Sequence, residues 1–325
     1  MNSASFDVLG IGNAIVDVIA HADDAFIATH GLNKGGMTLI DEARAETLYA
    51  AMGPGVEISG GSCGNTIAGV ASFGGRGAYV GKVRDDQLGA VFGHDLRATG
   101  VTFDTKRATS GPATARCLIL VTPDAQRTMN TYLGACTQLG PDDIDVKQVA
   151  SARVTYVEGY LWDPPDAKKA VLKAFDAAHA AGRQVSITLS DAFCVDRYRD
   201  EFRALIRDKV DILFANESEI KSLYQVKSFD EALAAARAEN KICALTRSEK
   251  GSVIVRGAET HAVPAAPVAR VVDTTGAGDL YAAGFLFGLT HGKPLAECAR
   301  LGGIAAAEII SHVGARPEMA LKDLI

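Results

Sequence analysis

The chain has no basic block, no closely spaced cysteine pair and few aromatic side chains. Aromatics make up 6% of its 325 residues and the formal net charge is −6. Without a run of lysine and arginine there is no electrostatic footprint for nucleic acid. The six cysteines (Cys63, Cys117, Cys136, Cys194, Cys243 and Cys298) are scattered, with no C-x-x-C spacing. That excludes a zinc or disulfide framework and fits reduced thiols in a cytoplasm. "MNSASFDVLG" lacks a basic region and a cleavage site, so no signal peptide is expected. The uncharged stretch "ISGGSCGNTIAGVASFGG" holds six glycines besides Ser, Asn and Thr. It suits a loop and a packed helix, not a membrane span.

What is present is apolar and rich in glycine, with 48% hydrophobic residues and 33 glycines. The length allows one large α/β domain or two modest ones. Short β-branched runs alternate with longer helical stretches. Strands are expected at 6–12, 77–83, 153–159, 184–190, 210–216 and 241–246. Helices are expected at 165–182, where Pro165 suits a first position and Gly182 a stop, and at 228–240, opened by Ser228 with Glu231 three residues on. Repeated β-α units predict a mainly parallel sheet with helices on both faces. Residues 13–40 and 108–135 break this rhythm and read as strands and hairpins, with a Pro-Asp turn inside "LILVTPDAQRTMNTYL". They predict a small β-lid beside a large domain made of 1–12, 41–107 and 136–325. Within the lid, "DDAFIATHG" reads as an amphipathic helix.

Three stretches carry chemistry. In "VVDTTGAGDLYAAG" (271–284) the reading is a strand, "ARVV", then a turn, then a helix apolar nearly all round. Gly276, Ala277 and Gly278 then lie at a helix N-terminus, where free N–H groups and the dipole favour an anion. Neither a Walker loop nor a dinucleotide fingerprint fits, because Tyr281 and, in "LGIGNAI", Ile15 stand where a third glycine is needed. Asp279 falls in the first turn, where the dipole would keep it ionised. It serves either as a helix start or as a base for a hydroxyl attacking phosphorus. In the second stretch, Gly60-Gly61 and Asn65 form either a close-packed turn or a cradle for a polyhydroxylated ligand. In the third, "NESE", Asn216 and Glu219 satisfy a capping box. Glu219 could equally hold a water-ligated Mg²⁺.

Together these stretches resemble the ribokinase-like (PfkB-type) family of carbohydrate and nucleoside kinases. "DTTGAGD" is similar to its C-terminal signature and "GGSCGNTIAGVASFGGRGAYVGKVRDDQLG" to its N-terminal one, while "NESE" matches its Asn-x-x-Glu element. Within the family the likeness is to adenosine kinases. "GNAIVD" keeps Asn13 and Asp17 four apart, and Ser62 stands where ribokinases usually carry Lys. "RTMNTYLGAC", "YVEGYLW", "LSDAF" and "VDILFANESE" are also similar.

The resemblance implies a doubly wound α/β fold with a β-lid, and transfer of the ATP γ-phosphoryl group to a ribose 5′-hydroxyl. Asp279 would take the proton. Gly276, Ala277 and Gly278 would donate N–H groups to the phosphoryl oxygens, and Arg127 would reach the phosphates from the lid. Asn13, Asp17, Gly61, Ser62 and Asn65 would hold the ribose. Leu133, Ala135 and one or more of Tyr160, Leu161 and Trp162 would line a purine slot, the alternative for the aromatics being core filling. Asn216, Glu219, Thr246, Gly251, Thr275 and Gly278 would serve ATP, with Glu219 on Mg²⁺ through water. Asp273 and Thr275 could hold K⁺. A sugar kinase acting on ribose or a ketohexose is the alternative reading. The implied partners are a small nucleoside or sugar, with no nucleic acid and no membrane, and a monomer is favoured over a homodimer. Two departures stand out: Ser248 replaces a glycine common in the adenine-side loop, and Asp191-Ala192 replaces an apolar residue and proline.

Overall fold

The computed structural model describes residues 4–124 and 126–325. Among these, nine strands form the main sheet. Across it they run Glu259–Val263, Ser252–Arg256, Ile242–Thr246, Ile212–Asn216, Gln184–Thr188, Ala152–Glu158, Phe6–Ile11, Gly77–Val80 and Thr102–Phe103. Neighbours pair in parallel except at the first edge, where 252–256 and 259–263 turn back antiparallel. Central strands such as "VLGI" and "TYVE" are buried on both faces, which is why they read as apolar runs without alternation. Helix Pro165–Ala180 buries Ala167, Ala170, Val171, Ala174, Phe175 and Ala178, the stripe that a 3.6-residue repeat places on one side. It starts at Pro165, and the chain leaves it through Gly182 at φ +66°. Helix Phe229–Ala238 opens on the expected capping box of Ser228 and Glu231.

The apolar helix Ala277–Thr290 lies between Ser62–Ser72 and Leu295–Ile309, with Leu280, Tyr281, Ala282, Ala283, Phe285, Leu286 and Thr290 buried. The segment before it departs from expectation. Residues 269–272 form no strand, and Val271 is 57% exposed. The edge of the main sheet is already taken by Glu259–Val263. The chain instead runs on outside either sheet, fixed where Val272 N–H donates to the Ile310 carbonyl at 2.8 Å.

A second sheet has the order Met37–Leu39, Arg127–Tyr132, Ala115–Val121, Ile15–His21 and Gly55–Ser59. Strand 115–121 pairs antiparallel with 127–132 on either side of the expected turn, and Asp24–Thr29 is helical, capped by Asp23. Gly55–Ser59 comes from outside the two segments assigned to the lid. It covers the edge of Ile15–His21 and leads straight into Gly60-Gly61. One face of this sheet, with Val16, Val18, Ala20, Leu118 and Leu120, packs into the main core. The other carries Cys117, Ile119 and Val121, with Ile15 and Ile19 against them. No helix among the described residues is long and apolar enough to cross a membrane.

Candidate active site

Strand order reverses beside Phe6–Ile11. The chain moves from it to Gly77–Val80 on one side and later to Ala152–Glu158 on the other. Carboxyl ends of parallel strands at such a reversal leave a crevice, the usual place for a ligand in a doubly wound sheet. Here Asn13 follows the first strand and Glu158 ends the second. Asn13 N–H and Nδ2 donate to Glu158 Oε1 at 2.9 and 2.7 Å, and Cys63 N–H donates to Oε2 at 2.8 Å.

Gly60 and Gly61 are there for close approach. A Cβ on Gly60 would lie 2.4 Å from Asp17 Oδ2, and one on Gly61 2.3 Å from the Asn13 carbonyl. Gly61 also has φ +81° and ψ 140°, a backbone region that disfavours any side chain. The turn therefore gathers Asn13 and Asp17 and starts the helix bearing Ser62 and Asn65. Both of these reach Asp279: Ser62 Oγ donates to Oδ1 at 2.6 Å and Asn65 Nδ2 to Oδ2 at 3.0 Å. Asn65 Oδ1 is buried without a partner among the described residues. Ser62 and Asn65 thus orient the carboxylate in addition to lying beside the crevice.

Asp279 is half-buried in the first turn of its helix and, among the described residues, forms no ion pair. Burial pushes its carboxyl above the ordinary range, against the Ser62 and Asn65 donors and the Arg316 charge, which pull it down. A carboxyl raised in this way is a base nearer working pH. Gly276 caps the helix at φ +78°. Ala277 N–H is consumed by the Thr274 carbonyl at 3.2 Å. Among the described residues, no protein acceptor takes the N–H groups of Gly276 and Gly278. Of the three amides expected to face an anion, those two are free.

A cavity of about 220 Å³ opens beside Asp279, lined also by Ser62, Ser190, Asn216, Glu219, Thr246 and Gly278. Asn216 and Glu219 form the full capping box: Glu219 N–H donates to Asn216 Oδ1 at 2.9 Å, and Asn216 N–H to Glu219 Oε2 at 3.0 Å. The capping box is therefore present, and the same Glu219 also lines the cavity. Gly251 turns the chain between two strands at φ +80°. Ser248 adopts φ +52°, so the backbone keeps the left-handed bend a glycine would take. Asp191 caps the helix beginning at Ala192.

Other expected residues fall elsewhere. Leu161 is fully buried, and Trp162 packs on Phe202 and donates to Glu201 at 2.9 Å, so both fill core. The turn 159–162 can present only one side to the crevice. Tyr160 is half-exposed, its hydroxyl 3.4 Å from the Ser190 carbonyl. Ala135 is buried and bonded to Ala113, whereas Leu133 keeps some exposed surface. Arg127 is turned not to the open cavity but to Asp273, in an ion pair whose side chains are 9% and 7% exposed. Asp273 also accepts from Thr275 N–H, Thr275 Oγ1 and Gly314 N–H. Four donors fill a carboxylate's four lone-pair sites, so Asp273 offers no vacant site to a K⁺ ion in this conformation.

The description "pfkB family carbohydrate kinase" matches residues 40–321. The chain belongs to the PfkB family. This PfkB protein is therefore a phosphotransferase, and ATP use goes with the family. It is similar to the crystal structure of adenosine kinase from Sinorhizobium meliloti: 57% identity, TM-score 0.91, 99% of this chain and 98% of that one covered. It is similar also to a probable sugar kinase from Rhizobium etli CFN 42, at 54% identity and TM-score 0.92 with the same coverage. Adenosine kinase of Saccharomyces cerevisiae is 26% identical over 94% of each chain. These likenesses establish the ribokinase-like fold with its small second sheet.

Two residues of this PfkB site were missed by sequence reasoning. Glu158 is 1% exposed, and burial pushes its carboxyl up to about 7 despite the Asn13 and Cys63 donors. The available signal was a carboxylate closing an otherwise apolar parallel strand. Arg316, in the tail, bonds to Ser59 and Gly64, and nothing local in "GARPE" announces it.

Proposed function

We propose that this PfkB protein is an ATP- and Mg²⁺-dependent nucleoside kinase that phosphorylates the 5′-hydroxyl of adenosine, giving AMP. One observation carries the reading: among the described residues, the Asp279 carboxylate is held by two neutral donors, without an ion pair, beside a cavity and free helix N–H groups. Asp279 takes the hydroxyl proton as the O–P bond forms. Gly276 and Gly278 donate to the charge spreading over the phosphoryl oxygens. Asn13, Asp17 and Gly61 hold the ribose, and Leu133 and Tyr160 flank the base. Arg127 reaches the phosphates by exchanging Asp273 for them. Glu219 fits a hydrated Mg²⁺, since its oxygens, bonded to Asn216 at 3.0 and 2.5 Å, keep lone pairs for metal-bound water. When bound, the ion would neutralise phosphate charge.

Adenosine as acceptor is supported by the likeness to the Sinorhizobium meliloti and yeast enzymes. The similar Rhizobium etli protein keeps a sugar as the second reading. ADP release measured with adenosine, guanosine, inosine, ribose and fructose separates them. Turnover is expected with adenosine foremost, whereas turnover with ribose or fructose alone would sink the nucleoside assignment.

Nucleoside affinity should also fall on acidification. Burial raises Glu158 to about 7 and Asp17 to about 6. Both values lie above the ordinary carboxyl range, so the ionised forms are lost as pH falls through them. Protonated Glu158 loses acceptor capacity for Asn13 and Cys63, and protonated Asp17 loses its charge. Calorimetric titration with adenosine from about pH 8 to about pH 5 should show weakening in that window. Constant affinity would contradict it.

A further inference from the structure

Arg316 lies in the tail, far in sequence from the glycine turn it touches. Its Nε and Nη2 donate to the Ser59 carbonyl at 3.0 and 2.8 Å, Nη2 to Ser59 Oγ at 3.0 Å, and Nη1 to the Gly64 carbonyl at 2.6 Å. None of these acceptors carries a charge. Ser59 ends the last strand of the small sheet, and Gly64 lies in the first turn of the helix carrying Ser62 and Asn65. The guanidinium therefore spans the Gly60-Gly61 turn, tying the small sheet to the layer that presents Asp279. Ser59 is fixed from its other side by Asp95, which accepts from its N–H and Oγ at 2.7 and 2.5 Å.

We propose that Arg316 is a positioning residue for phosphoryl transfer: it staples both ends of the glycine turn and sets a fixed positive charge beside Asp17 and Asp279. The role rests on reading Asp279 as the base. The groups whose charges couple to Asp279 explain why a cation is needed there. Asp17, Glu158 and Glu219 are acidic, while Cys63, Tyr156 and Tyr160 are neutral and buried or half-buried. Arg316 opposes them, and its charge bears on Asp95, Asp17 and Asp279 together. A planar fork can bridge two carbonyls and keep its charge, which a lysine ammonium does less well.

Wild type, Arg316→Gln and Arg316→Lys separate the two parts, after circular dichroism establishes folding. Carboxyl ¹³C NMR of labelled aspartates reads Asp279 directly, and calorimetry reads adenosine affinity; neither needs turnover. In Arg316→Gln, Asp279 should titrate about one pH unit higher, and the acid limb of kcat should move with it. In Arg316→Lys, the titration should stay in place while adenosine binds about tenfold more weakly, because the staple is lost. An unmoved Asp279 in Arg316→Gln, or wild-type affinity in Arg316→Lys, overturns the proposal. Should Arg316→Gln not fold, the adenosine affinity of Arg316→Lys decides: wild-type affinity overturns the proposal, and tenfold weaker binding upholds the staple. Absence of ADP release by the wild type with every acceptor would instead defeat the kinase reading, leaving the NMR result to judge Arg316.

Discussion

Replacing Asp279 with asparagine should lower kcat by about 10²–10⁴-fold, the range that general-base help supplies, while adenosine still binds. The substitution is nearly isosteric. Ser62 Oγ can still donate to the remaining oxygen, and Asn65, by turning its amide over, can bring Oδ1, which has no partner among the described residues, to accept from the new amide nitrogen. Folding should therefore survive, and the loss should fall on turnover. Steady-state ADP release together with calorimetric binding checks this. A variant that binds adenosine and turns over at the wild-type rate would remove Asp279 from the reaction.

Gly61→Ala should produce the other large effect. A methyl group there meets the Asn13 carbonyl at 2.3 Å, and the backbone at φ +81° resists a side chain by about 1–3 kcal/mol. Backbone oxygen cannot swing aside as a flexible side chain can, so the turn must move. Movement displaces Ser62, one of the two donors on Asp279, and opens the approach of Asn13 to Glu158. Misplacement of about 1 Å can cost about 10²-fold, and kcat/KM should fall by that order along with the denaturation midpoint. If neither changes, the turn is not what gathers the site.

Local physics made much of this legible in the sequence. Apolar runs fixed the parallel strands, Pro165 and Gly182 marked one helix, and Ser228 with Glu231 marked another. The Gly276–Asp279 turn could be placed at a helix start because the helix after it is apolar nearly all round. What escaped, the roles of Glu158 and Arg316 and the pairing of Arg127 with Asp273, depends on distant partners. Glu158 meets Cys63 across 95 positions, Arg127 meets Asp273 across 146, and Arg316 meets Ser59 across 257. No window of sequence contains both members of such a pair. Which of Tyr160, Leu161 and Trp162 faces the crevice was left open for another reason: a tight turn exposes one side, and composition does not say which.

The most direct test is a crystal structure of the wild-type chain with adenosine and a non-hydrolysable ATP analogue. The account predicts an Asp279 carboxylate oxygen about 3 Å from the ribose 5′-oxygen, with the γ-phosphate on the Gly276 and Gly278 amides. A 5′-hydroxyl facing away, or Asp279 paired with a cation in that complex, would contradict it.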